Sequence, residues 1–336
     1  MLLAISLLVG CERNSTENSL HTYHNRLANV LDVVPAAAPD TKLAPLPDIR
    51  ELQLPIEDIR IGLLDAYELR KCELFHLIAE RNSVLGKVQD KTHQLRYELL
   101  LVNGLSRCIS MQEEDSELQA ELKQLHQKKQ QQLPRYFWNM LVTGDEWRKQ
   151  FTLLSVPFSL GQFPGFVENQ EAMRHLAGLV GSISQQQPIP AKSAEALLFH
   201  QQQIHIFRYF GQLFYSLART RDWLITTTEM LEAHEQLIIC GPNRNQQKAE
   251  YLSNVFYRFF VSDIQPYLSE LDSQYRQLQP DLQKVFTIIP SGMTSFIPYQ
   301  KQHIDGAIYQ SFRQATLSHV KFWQRTFDRC KIKVGL

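Results

Sequence analysis

The chain lacks an excess of charge of either sign: lysine plus arginine and aspartate plus glutamate each number 35, so 35 minus 35 leaves no net charge over 336 residues. No basic stripe alternates with aromatics, and this excludes the electrostatic groove that nucleic acid requires. No nucleic-acid partner is expected. Beyond the first ten residues there is no apolar run of the roughly 20 residues that a membrane-spanning helix needs, so the body is expected to be soluble. Period-2 alternation of useful length, a glycine-rich strand-to-helix turn and a repeat of fixed period are absent as well. What remains is an all-α fold.

Signatures of chemistry are equally scarce. There is no C-x-x-C, which excludes the short-spaced zinc and redox sites. Gly178 to Ser182 and Ser291-Gly292 lack the G-x-S-x-G elbow, and Ser83-Val84-Leu85-Gly86-Lys87 lacks the leading glycine of a phosphate loop. Glu73-Leu74-Phe75-His76 places a carboxylate and an imidazole on one helix face, as in di-iron bundles. No second Glu-x-x-His exists, and the nearest match, Asp90 with His93, falls at a turn. His200 and His205 are five apart and so lie on different helix faces, while Glu113-Glu114-Asp115 reads as favourable charge at a helix N-terminus. No catalytic residue, metal-ligand set or cofactor is expected.

Against these absences stands Leu7-Leu8-Val9-Gly10-Cys11. It looks like the lipobox of bacterial lipoproteins, an apolar stretch with small residues at the cut and then a cysteine. Leu2 to Val9 is apolar except for Ser6, too short to span a bilayer, and followed at once by polar residues. Residues 1–10 are thus expected to be a signal peptide and Cys11 the site of lipid attachment. Likeness to this class also implies that Glu12 after the cysteine favours the outer membrane.

Assigning Cys11 to lipid leaves Cys72, Cys108, Cys240 and Cys330, an even set in an oxidising compartment with three possible pairings. Helix placement chooses among them. Leu63, Tyr67, Leu74, Leu77 and Ile78 mark one helix and Leu95, Leu99, Val102 and Ile109 another, an αα-hairpin over 59–110 with Gly86 to Asp90 between them. Cys72 and Cys108 each lie 18 residues from Asp90, about 27 Å along an antiparallel pair. They should meet. A long-helix bundle is expected over 196–330. Phe210, Leu217, Leu224, Leu231 and Ile238, spaced by seven, predict one helix running to Cys240 and stopped by Gly241-Pro242. Leu252 to Leu282 predict a second, bent at Pro266, and Ile304 to Phe322 a third ending near Cys330. Running up, down and up, these bring Cys240 to Cys330.

The remaining chain fills in around these units. Leu20, Tyr23, Leu27, Val30, Leu31 and Val34 predict a short helix close to the lipid, stopping at Pro35. Five prolines from Pro35 to Pro55 then predict an extended strap, and its leucines favour packing along the body. A third helix carries Leu118, Leu122, Leu125 and Leu133, with a kink or end expected at Pro134. An irregular apolar segment over 152–166 leads to a short helix at Val167 to Val180. Glutamine numbers 33 and clusters in runs such as Gln185-Gln186-Gln187, which reads as solvated helical surface. Two segments offer a binding surface: Glu80, Arg81, Asn82 and Ser83 with Lys87, and the apolar loop from Thr287 to Tyr299.

The lipobox, Tyr23 to Leu31 (YHNRLANVL), Cys72 with Leu74, Glu80 to Val88 (ERNSVLGKV), Tyr97-Glu98 to Cys108, and Ile264-Gln265-Pro266-Tyr267 together resemble a family of gammaproteobacterial lipoproteins, domain of unknown function 3080. The resemblance spans nearly all of residues 11–336, read as a single mostly helical domain, and implies a lipid anchor and an envelope location. It implies no activity. The expectation is an elongated all-α bundle tethered to the membrane through its N-terminal lipid, facing the periplasm, and acting as an interaction or scaffold protein with an envelope protein partner. A carrier or sensor of a small apolar or envelope-derived ligand is the alternative, and a cell-wall hydrolase the third.

Overall fold

The computed structural model describes residues 15–39, 42–59, 69–72, 74–83, 89–113 and 116–333. Every regular element among them is helical, apart from one isolated bridge between Ser159 and Gln162. Helix α1 (Ser15–Leu31) buries Leu20, Tyr23, Leu27 and Leu31 of the predicted stripe together with Ala28, while Val30 is half-buried and the helix ends before Val34, which is exposed. It is an integral layer of the core. Cys11 and the signal segment lie outside the described residues.

The hairpin consists of α2 (Leu74–Asn82) and α3 (Lys91–Met111), preceded by a 3₁₀ turn at Leu69–Cys72. Asp90 caps α3, its carboxylate accepting from the His93 amide at 2.9 Å. Cys72 and Cys108 are disulfide-bonded with Cα atoms 5.2 Å apart. Together with Leu69, Leu74, Ile78, Tyr97, Leu101, Leu105 and Leu122 they form a small apolar cluster distinct from the main core.

Helix α4 (Glu117–Thr143) continues through Pro134 and does not end there, one of the two outcomes, a kink or an end, that the proline predicts. A mid-helix proline costs about 3 kcal/mol. Burial of Leu133, Phe137 and Trp138 on either side offsets that, since each large apolar side chain contributes roughly 1.5 to 3 kcal/mol. After α5 (Asp145–Phe151) and the irregular 152–165 segment come α6 (Phe166–Ser184) and α7 (Ala191–Ile204).

Helix α8 (Tyr209–Ala233) stops short of Cys240. His234 ends it: the ring Nδ1–H donates to the Met230 carbonyl at 2.9 Å, and a 3₁₀ turn (Glu235–Leu237) follows. Ile238 remains buried, which explains why the seven-residue spacing outlasts the helix. The second long helix is continuous in three parts: α9 (Gln247–Val255), a π-helix (Phe256–Ile264) and α10 (Gln265–Val285). The irregularity expected at Pro266 therefore lies before it. The last π bond, from the Gln265 amide to the Phe260 carbonyl, is completed one residue ahead of the ring that has no N–H. Helix α11 (Ala307–Cys330) closes the chain.

Contacts of α8 and the 3₁₀ turn after it with α11 rise together in number, Thr228 with His319, Glu232 with Arg325 and Glu235 with Arg329, so the two helices are parallel. Those of the intervening helix fall, Phe256 with Trp323, Phe260 with His319 and Tyr275 with Tyr309, so it is antiparallel. This is the up-down-up order, and Cys240 and Cys330 are bonded with Cα atoms 4.9 Å apart.

The strap packs on the body as its leucines favoured. Leu52 is buried, Leu43, Leu46 and Leu54 rest on the core, and one helical turn (Ile49–Leu52) interrupts the extended chain. An extended segment has no ladder to satisfy its backbone, so side chains must do so. Helix α4 supplies them at successive turns. Gln132 donates to the Glu57 carbonyl, Arg135 to Pro55, and Trp138 to Leu52, while Asn139 both accepts from and donates to Leu54 at 2.8 and 2.9 Å. Further back, the Arg148 guanidinium donates to the Pro47 carbonyl at 2.6 Å and His303 Nε2–H to Ala44 at 3.0 Å.

Two glycines test this packing. A Cβ on Gly211 would lie 2.0 Å from the Thr152 carbonyl oxygen, whereas one on Gly178, in mid-helix, meets nothing within 4 Å. Gly211→Ala should lower unfolding stability by about 1 to 3 kcal/mol, and Gly178→Ala should leave it unchanged or raise it by about 0.5 to 1 kcal/mol. Urea titration of both variants checks the pair, and equal stabilities would contradict the close approach of the 152–153 backbone to α8.

Candidate functional site

The candidate surface lies at the end of α2. Glu80 to Ser83 close the helix, with the Ser83 hydroxyl donating to the Glu80 carbonyl at 2.7 Å, and Lys87 lies outside the described residues. Arg81 lies 5.9 Å from the Tyr97 ring centroid. Beside Tyr97, Glu98 forms an ion pair with Lys129 at 3.1 Å, the two side chains 5% and 3% exposed. Burial raises the Glu98 carboxyl and Lys129 opposes that shift. A pair this sealed joins α3 to α4 and offers a substrate no approach.

The remaining sequence candidates take structural roles. Asp90 and His93 form the α3 cap, and Glu73 lies outside the described residues. His200 stands 4.9 Å from His175 ring to ring, while His205 donates to the Gln202 carbonyl at the end of α7. No group of three or more His, Cys, Asp or Glu among the described residues is arranged to hold a metal ion. The Thr287 to Tyr299 loop is a plug. Its Phe296 packs edge-on against Trp138 and its buried Tyr299 donates to the Phe151 carbonyl at 2.7 Å.

The most ordered polar arrangement is deep in the bundle, around His319. Trp323 Nε1–H is a donor only, and it reaches the Tyr23 hydroxyl at 3.0 Å. Thr228 donates to the Leu224 carbonyl at 2.6 Å, so its oxygen accepts from His319 Nδ1–H at 2.9 Å. That assigns the free lone pair to Nε2, which accepts a hydrogen bond from the Tyr23 hydroxyl at 2.8 Å. Each donor in the circuit has an acceptor. At the adjacent positions of the same two helices His24 Nδ1 meets Thr227 at 3.0 Å. Arg219 binds Glu17 through two nitrogens, donates to the Pro39 carbonyl and lies 5.2 Å from the Trp223 ring. This polar seam ties α1 and the strap to α8 and α11, with no opening to solvent at His319.

Open surface is found elsewhere, on the two sides of the π-helix. One groove, about 650 Å³, lies between α1 and α9 with Arg26, Lys248 and Arg258 around Tyr251 and Phe259. The other, about 770 Å³, lies between the 160–168 segment and α10, where Glu168, Asp263 and Glu270 surround Phe163, Phe166 and Tyr267. Sequence reasoning missed both. Their residues come from segments some 220 and 100 positions apart. The signal available was the i, i+3, i+7 recurrence of Lys248, Tyr251 and Val255 outside the core stripe of Leu252 and Phe256.

Burial pushes His319 down to about 3 from an ordinary value near 6.5, so the ring is neutral in the fold. The unfolded chain takes up that proton first, and the stability present above pH 6.5 is lost as pH falls toward 3. Replacing His319 with Gln removes this proton difference. Near pH 5 the slope of stability against pH should become shallower by about 1.4 kcal/mol per unit. Urea midpoints measured across the acid range check this, and parallel slopes in the two proteins would contradict it.

Comparison with known proteins matches the chain to the family described as Protein of unknown function (DUF3080), over residues 20–334. No curated protein and no solved structure matches the chain. The matched span begins within α1 and ends just beyond α11, so it takes in the strap, the hairpin, the His319 circuit and both grooves, while Glu17 of the polar seam precedes it. By that coverage the chain belongs to the DUF3080 family of proteins of unknown function.

Proposed function

We propose that this chain is a lipid-anchored envelope protein, held at the outer membrane through Cys11 and facing the periplasm, whose helical body works as an interaction scaffold. The signal-like segment ending at Cys11 and the two disulfides support the exported setting. Among the described residues no helix is long and apolar enough to cross a membrane; the anchor is proposed from the Cys11 segment alone, where acyl chains would suffice for attachment.

The observation that carries the scaffold reading is the contrast between core and surface. Aromatic rings fill the interior in two clusters of contacts, one around Phe151 and Phe210 and one around Phe256 and Trp323, and the polar circuit at His319 is paired within the second. The usable surface consists instead of open grooves, together with exposed apolar side chains such as Phe199, Ile206 and Val167. Exposed apolar surface rimmed by polar groups is what protein partners use. Helix α1 follows Cys11 after only a few residues, so the anchor would hold this surface close to the membrane.

Two measurements test the proposal together. Mass spectrometry of the mature N-terminal peptide should show an acylated Cys11, and an unmodified peptide still carrying residues 1–10 would overturn the anchor. Affinity capture from envelopes should return a partner set that the Cys11→Ser chain fails to recover. The same set with both proteins, or no specific partner with either, would count against a membrane-held scaffold.

A further inference from the structure

The groove between α1 and α9 has a composition that a solvated surface does not require. Its charges do not cancel. Lys248 is paired with Asp32 at 2.8 Å and also donates to the Leu31 carbonyl. Arg26 and Arg258 face the same groove with no carboxylate within ion-pair distance among the described residues. Three cations less one carboxylate leave two positive charges at the groove. Between them the wall is apolar and aromatic: Val30, Val255 and Phe259 are partly buried against the core, and Tyr251 is 49% exposed. Arg258 lies 5.7 Å from the Phe259 ring, so its charge is held against that wall.

Two guanidiniums without partners match a phosphate or carboxylate, which their planar forks bind bidentately. A wall of valine and aromatic rings beside them matches an apolar body, not a second charge. The volume, about 650 Å³, is within the range of small-molecule sites. The π-helix has a part in this: Arg258 and Phe259 sit in its first turn, where the wider winding changes which residues share a face. We infer that this groove is a binding site for an amphipathic anion, a single phosphate or carboxylate head on an apolar chain. The site goes beyond the scaffold reading and does not depend on it.

Calorimetric titration of the Cys11→Ser chain with decyl phosphate, below the concentration at which it forms micelles, tests the site. Saturable one-to-one binding is expected. The double variant Arg26→Gln/Arg258→Gln should bind about tenfold or more weakly, since both charge-assisted contacts are lost. Both side chains are exposed, so the variant should keep its helical circular dichroism, and that spectrum is the control for folding. Inorganic phosphate and decyltrimethylammonium should each bind about tenfold or more weakly than decyl phosphate, the first lacking the chain and the second the charge. Decanoate in place of decyl phosphate separates the two sources of the anion, and binding of either head supports the site. Unchanged affinity in the double variant would overturn the proposal, as would equal binding of the cationic amphiphile or of inorganic phosphate. Binding to vesicles of phosphatidylcholine with phosphatidylglycerol, without binding of monomeric decyl phosphate, would also overturn it in favour of a membrane-surface patch.

Discussion

The neutral ring of His319 is the constraint on which the rest of the bundle depends. It stands where α1, α8 and α11 meet, and its two nitrogens have opposite jobs, one donating to Thr228 and the other accepting from Tyr23. Only one tautomer satisfies both, and Trp323 closes the circuit by donating to the same tyrosine oxygen. A buried polar group without a partner costs about 1 to 3 kcal/mol, so sliding α1 by even one residue would leave several such groups unmet. Apolar contacts between helices tolerate small shifts. This circuit does not, and it therefore sets the register of the N-terminal helix against the two C-terminal ones.

From that register the outer layers follow. With α1 fixed, Glu17 meets Arg219, which reaches on to the strap at Pro39, and Asp32 meets Lys248 on α9. The strap then leaves α1 in the direction that lets α4 take its carbonyls turn by turn, through Trp138, Asn139 and Arg135. A proline-rich segment that looks like a tether thus becomes a seam between the two ends of the chain. The groove between α1 and α9 is a product of the same placement, because α1 provides Arg26 and the π-helix provides Arg258.

Much of this fold was legible in the sequence, and the parts that were not share a physical reason. Helical stripes such as Leu20 to Leu31 and the cysteine registers report local periodicity, and the structure pairs Cys72 with Cys108 and Cys240 with Cys330. Pro134 does not end its helix because propensity is local, while burial of Leu133, Phe137 and Trp138 is tertiary. Ile238 misleads because a residue can stay in the core after its helix has ended at His234. The His319 circuit left no signal, since Tyr23, Thr228, His319 and Trp323 are joined only by the fold. The grooves were hidden for the same reason, whereas the helix end at Glu80 to Ser83 was legible from its run of hydrogen-bonding groups.

Native-state hydrogen exchange tests the central claim, that α1 is locked into the bundle by this circuit and is no detachable leader. The amides from Tyr23 to Leu31 should open with the same free energy and the same denaturant dependence as those from Leu217 to Leu231 in α8, as one cooperative unit. A separate, much smaller opening free energy for α1, insensitive to denaturant while α8 stays protected, would contradict it.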